Sequence, residues 1–266
     1  IMKIKEIVSA LERFAPLPLQ DGFDNAGLQI GLTEVEATGA LLCLDVTEAV
    51  LDEAIALGHN LVISHHPLIF KGYKSITGKD YVERCILKAI KNDIVIYSAH
   101  TNLDNAYGGV NYKIAEKIGL KNLQVLEPKE NSLQDDLMQA GAGIVGELDE
   151  PETELEFLKR IKKTFEVGCV RHNRLTGREI QKVALCGGAG AFLLPQAIRA
   201  GADVFITGEI KYHDYFGHEG DILMVEIGHY ESEQYTKEIF YSIIRDLFPN
   251  FALQSSKINT NPIKYL

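Results

Sequence analysis

The sequence carries an internal repeat, and that repeat limits the chain to a fold built from two related halves. Ala54-Ile55-x-x-Gly58-x-x-Leu61-Val62-Ile63-Ser64 is matched in order by Ala197-Ile198-x-x-Gly201-x-x-Val204-Phe205-Ile206-Thr207. Each copy reads as the end of a helix, a glycine turn and a short buried strand. Farther on, Asp93-Ile94-Val95-Ile96 is matched by Asp221-Ile222-Leu223-Met224, and His100-x-x-x-Asp104 by His229-x-x-x-Glu233. Chance rarely produces both matches in the same order. They imply two related α/β halves, each aiming a histidine and a carboxylate from the end of an equivalent strand.

The rest of the pattern agrees. Ile4, Ile7, Val8, Leu11 and Phe14 recur at helical spacing until Pro16 and Pro18 stop them. A strand over 41–46 leads to Thr47, which caps a helix ending near Leu57 at Gly58. A Gly- and Lys-containing loop over 70–79, a helix over 81–91, a strand over 94–98, a helix over 110–118 and a short strand over 124–126 follow. After a break at 128–143, a strand near Ile144, a helix over 152–164 and strands over 167–170 and 183–186 resume the alternation. Such alternation signals parallel β-α-β units. The expected division is 1–128 plus 251–266 for the first half and 129–250 for the second.

Charge and composition narrow the partners. A net charge of -10 and a pI near 5.3 disfavour a nucleic-acid backbone as the main partner, because phosphate binding needs a basic surface. No apolar run reaches the roughly 20 residues that span a bilayer, and no apolar signal core opens the chain, so a cytoplasmic location is expected. Cys43, Cys85, Cys169 and Cys186 include no Cys-x-x-Cys pair and read as buried, reduced thiols.

The chemistry concentrates in Leu61-Val62-Ile63-Ser64-His65-His66-Pro67, a buried strand that stops at two histidines. Crevices beyond the carboxyl ends of parallel strands are where sites form, and imidazole is the commonest metal-donating side chain. Adjacent residues on an extended backbone point to opposite sides, so His65 and His66 suit two ions side by side unless the turn redirects them. Asp104 follows the next strand. In the second half, His229 and Glu233 stand four residues apart, on one helical face. His65, His66, Asp104, His229 and Glu233 together are too few donors to enclose two ions, which leaves positions for water or substrate. Glu233 is the candidate bridging carboxylate, and without a thiolate the metal is zinc, manganese or iron. His100 is a further ligand or a group orienting Asp104. His213 lines the cleft, His59, His172 and His218 read as surface or hydrogen-bonded residues, Cys186-Gly187-Gly188-Ala189-Gly190 before a helix reads as a tight packing turn or else a phosphate cradle of backbone amides, and the Phe23–Leu28 stretch as a packed turn or cleft wall.

These motifs carry a resemblance. Asp24-Asn25-x-Gly27-Leu28-Gln29-x-Gly31, Ser64-His65-His66-Pro67, His100-Thr101-Asn102-Leu103-Asp104, Thr207-Gly208-Glu209 and Gly228-His229-x-x-x-Glu233 resemble the Nif3-like family, also named GTP cyclohydrolase 1 type 2 homologs. The resemblance implies intertwined α/β repeats, with a dinuclear centre between them held by His65, His66, Asp104, His229 and Glu233. It also implies a toroidal homohexamer whose metal sites face an inner cavity. Family members commonly have Trp before the Asp-Asn-x-Gly motif, where this chain has Phe23. Longer members carry an extra small domain between the halves, and here only the linker near 128–143 stands at that place.

Function follows less directly. One reading is a metal-dependent hydrolase acting on a nucleotide or related heterocycle, in which His100 or His213 serves as proton donor. The other, from a different class, is a metal-handling or metal-delivery protein, or a ring-shaped scaffold.

Overall fold

In the computed structural model, which describes residues 1–129 and 140–266, the chain divides into two units. One comprises Ile1–Leu103 with Thr236–Pro262, the other Asp104–Tyr235 with Ile263–Leu266. The first elements are α1 (Ile4–Phe14), β1 (Gly27–Ile30), β2 (Ala40–Cys43), α2 (Glu48–Leu57), β3 (Leu61–Ser64), α3 (Tyr81–Lys91) and β4 (Val95–Ser98). Next come α4 (Thr101–Asp104), α5 (Val110–Ile118), β5 (Lys121–Pro128), β6 (Gly141–Thr153), α6 (Glu154–Thr164), β7 (Arg171–His172), β8 (Glu179–Cys186), α7 (Leu194–Arg199), β9 (Val204–Thr207), β10 (Leu223–Glu226) and α8 (His229–Glu233). The chain ends with α9 (Thr236–Leu247) and β11 (Leu253–Ser255).

Local chemistry sets these ends. The Thr47 hydroxyl accepts from the Val50 amide at 3.3 Å to start α2, and Gly58 closes it in the left-handed region at φ 69°. Asp80 caps α3 in the same way through the Glu83 amide at 2.8 Å.

The first unit holds a five-stranded sheet of order β1-β4-β3-β2-β11, parallel except where β1 runs against β4. The second holds a six-stranded sheet of order β5-β6-β8-β9-β10-β7. Its β8, β9 and β10 are parallel, with β7 antiparallel on the β10 edge. A run of parallel strands, β2-β3-β4 in one unit and β8-β9-β10 in the other, is thus followed in both by an antiparallel edge strand on β4 or β10, which is the duplication expressed as topology, and β11 adds a fourth parallel strand to the first run. Each sheet packs its own core, around Leu41, Val62 and Ile96 in one and Ala184, Phe205 and Met224 in the other.

The two-sheet α/β architecture agrees with the sequence reading, and three details differ. The second sheet is mixed, because β6 runs against both β5 and β8; alternation of elements reports their order and not strand direction. The strand expected over 167–170 is absent: Glu166 turns at φ 52° and the Val167 amide donates back to the Lys162 carbonyl at 2.9 Å, so this stretch finishes α6. The units divide at 103/104 and 235/236, since β5 ladders with β6, α9 packs on α1 and β11 pairs with β2. The linker expected over 128–143 extends across positions outside the described residues. No described helix is long and apolar enough to cross a membrane.

Candidate metal centre

In the first unit the donors lie just beyond the carboxyl ends of adjacent parallel strands, β3 and β4. The Ser64 hydroxyl donates to the His66 carbonyl at 2.8 Å and lies 2.7 Å from the Ser98 hydroxyl. This bond folds the backbone over as the strand stops. His65 and His66 consequently do not diverge as on an extended strand: their ring centroids are 4.9 Å apart, and His100 stands 5.2 and 5.3 Å from them. Each of the three offers a ligand atom within 4.8 Å of the others.

Their orientation is fixed from behind. His65 Nδ1–H donates to the Ala99 carbonyl, His66 Nδ1–H to Asp45 Oδ1 and His100 Nδ1–H to Asp24 Oδ1, each at 2.8 Å. Carbonyl and carboxylate oxygens only accept, so the proton sits on Nδ1 and the lone pair on Nε2. Both carboxylates are themselves braced. Asp45 accepts from the Thr260 hydroxyl at 2.6 Å, and Asp24 from the Thr101 amide at 3.0 Å and hydroxyl at 2.5 Å. Burial alone would push the Asp24 carboxyl up, but the hydrogen bonds from His100 and Thr101 outweigh it and hold Asp24 well below the usual carboxylate range. The partner of His100 is thus Asp24, where a link to Asp104 was one of the expectations.

The second unit repeats the plan. Gly228, at φ 97°, turns the chain from β10 into α8. One helical turn then sets His229 Nε2 3.1 Å from Glu233 Oε2. Asp104 and buried Glu233 bring carboxylate oxygens within 4.8 Å of each other. His229 Nδ1–H donates to Glu209 Oε1 at 2.8 Å. The turn after β8 closes on this group: a Cβ at Gly188, φ 64°, would lie 2.5 Å from Glu233 Oε1 and 3.2 Å from His229 Nε2. Its amides serve the fold, Gly188 donating to the Ser232 hydroxyl at 2.9 Å and Gly190 to the Thr207 hydroxyl at 3.0 Å. The packing-turn reading of this stretch therefore holds.

Oriented imidazole nitrogens with carboxylate oxygens and no thiolate suit a borderline divalent ion, and the glycine cradle leaves room beside Glu233 and His229. Cys43, Cys85 and Cys186 are buried, while Cys169 is exposed, against expectation. His213 joins none of the metal-capable groups among the described residues; it is exposed and packs with Tyr212 and Phe216. Sequence reasoning did not give Asp24, Asp45 and Glu209 their role as imidazole supports. Glu209 had a signal, because it occupies the position of His66 in the repeat.

The fold and these histidine-carboxylate groups define a duplicated α/β protein with metal-capable donors at the strand ends. The chain belongs to the Duf34/NIF3 (NGG1p interacting factor 3) family, whose model matches residues 2–262. It is 38% identical over 235 residues to a GTP cyclohydrolase 1 type 2 homolog of Clostridium perfringens, covering 87% of each chain. It is also similar to the crystal structure of a Staphylococcus aureus hypothetical protein, with TM-score 0.90, 32% identity and coverage of 100% of this chain and 99% of that one. A Bacillus cereus protein related to NIF3 superposes with TM-score 0.88 at 27% identity over all of both chains.

Proposed function

We propose that this protein is a metal-dependent hydrolase in which His65, His66, Asp104, His229 and Glu233 hold two divalent ions, zinc, manganese or iron, and that its substrate is a nucleotide or related phosphorylated heterocycle. One observation carries the reading. His65, His66, His100 and His229 each have Nδ1 tied to an acceptor at 2.8 Å, so each presents an Nε2 lone pair in a set direction. Such backing is what ligating imidazoles receive. When bound, the ions would supply Lewis acidity and bring the pKa of a water nucleophile toward neutrality. Glu233 is the carboxylate proposed to be shared, a role supported by its burial and its proximity to both His229 and Asp104. His100 keeps its Nδ1 proton on Asp24, which leaves Nε2 to hold or move a proton at a substrate atom. The relatives' name, GTP cyclohydrolase 1 type 2 homolog, supports a nucleotide substrate. A hexameric ring is part of the reading and rests on the family resemblance; light scattering should report a mass near six chains.

Elemental analysis together with a nucleotide turnover screen tests this. Expected are about two divalent ions per chain, lost in His65→Ala and Glu233→Ala without unfolding, and turnover that rises with pH through neutrality. His100→Ala should lower the rate far more than the metal content. Full metal content in both alanine variants would overturn the site. Ions that pass to an apo-acceptor with no turnover above free metal would establish the delivery reading instead.

A further inference from the structure

The loop that follows the paired histidines is anchored in an unusual way. Asn25 Nδ2–H donates to the Ile69 carbonyl at 2.6 Å, and the Ile69 amide donates to Gln29 Oε1 at 3.1 Å. Gln29 in turn donates to the Asn25 carbonyl at 2.7 Å. Both backbone groups of the residue before Phe70 are thus clamped by one short segment, whose Asp24 also orients His100. The clamp sets Phe70 edge-on to His100, with ring centroids 5.6 Å apart at 88°, yet leaves Phe70 48% exposed. A large apolar ring held in place and left half in water has a surface to offer.

Two cations follow at once. Lys71 and Lys74 are exposed and take part in no ion pair among the described residues, whereas the cations of neighbouring α3 are matched, Arg84 with Glu48 at 3.2 Å and Lys88 with Asp52 at 2.7 Å. In a chain of net charge -10, unmatched lysines one and four residues after Phe70 make a local attraction for anions.

We infer that the 70–74 segment is the substrate-recognition element of the centre: Phe70 stacks the ring of a phosphorylated heteroaromatic ligand, and Lys71 and Lys74 take its phosphates. Flat heteroaromatic rings stack on exposed aromatics with little dependence on ring identity, and ammonium groups pair with phosphate oxygens as point charges. The inference rests on the hydrolase reading for its place in a reaction, and binding alone tests it.

Calorimetric titration of the full chain with GTP, guanosine and tripolyphosphate separates the parts. Phe70→Leu should weaken GTP and guanosine roughly tenfold and leave tripolyphosphate within about twofold. The double variant Lys71→Ala/Lys74→Ala should weaken GTP and tripolyphosphate roughly tenfold, spare guanosine and flatten the salt dependence of GTP binding. Both variants alter exposed side chains, and unchanged circular dichroism certifies their fold. Absence of GTP binding by the wild type, or wild-type affinities for all three probes in either variant, overturns the assignment. Segment-dependent GTP binding without turnover of any nucleotide upholds it and defeats the hydrolase reading alone.

Discussion

Asp24 and His100 are joined by a 2.8 Å hydrogen bond from the imidazole Nδ1–H to a carboxylate that the fold withdraws fully from solvent. The same carboxylate accepts twice from Thr101, so a stretch before β1 is tied to the turn after β4. Asp24→Asn should cost about 2 kcal/mol at neutral pH, the scale of hydrogen bonds to a charged group. The pH dependence has a definite sign. The folded pKa of Asp24 is depressed, so its stabilisation is fully present above the unfolded value near 4 and fades as pH falls through the folded value. Urea unfolding should therefore show wild type and Asp24→Asn converging below about pH 4. A gap that stays constant down to pH 2 would mean the carboxylate does not carry the effect.

Gly188 offers a test with an internal control. Alanine there meets Glu233 Oε1 at 2.5 Å and must also adopt φ 64°, while alanine at Gly201 adopts φ 73° with nothing within 4 Å. Both substitutions carry the left-handed strain of about 1–2 kcal/mol, and only one displaces Glu233 and His229. Thermal unfolding should show similar losses for the two, whereas elemental analysis should show metal depleted in Gly188→Ala and retained in Gly201→Ala. Equal metal content in the pair would place Glu233 outside the centre.

Much of this was legible because duplication and caps are local signals. Thr47, Gly58 and the Ile4-to-Phe14 spacing fix element ends by chemistry within a few residues, and α1 and α2 lie where those residues put them. The place of His65 just past its strand followed from the run Leu61 to Pro67, and the places of His229 and Glu233 beyond the equivalent strand of the second half from the repeat. What escaped was set over long sequence separations. Asp24 reaches His100 across 76 positions and Asp45 reaches His66 across 21, links that no periodicity encodes. The joint orientation of His65 and His66 depends on one hydroxyl, that of Ser64, which bends the backbone against the alternation of an extended strand. Strand direction in β5 and β6 was hidden for a related reason, since pairing partners and not element order decide it.

The supports behind the imidazoles give the last prediction. Glu209 and Asp45 make no claim as ligands, yet each accepts the Nδ1 proton of a candidate donor, His229 and His66 respectively, at 2.8 Å. Removing the acceptor frees the ring to rotate and to move its proton to Nε2, where it blocks coordination. Groups in this position typically contribute ten- to hundredfold to metal affinity. Glu209→Ala and Asp45→Ala should each weaken binding by roughly that factor in competition with a chromophoric chelator, with the fold retained. Glu209→Gln keeps an oxygen able to accept the same proton and should recover most of the loss. If both alanine variants bound metal as tightly as wild type, the hydrogen bonds would be incidental to ligation; if glutamine failed to rescue, the charge of Glu209 rather than its hold on the His229 ring would be what matters.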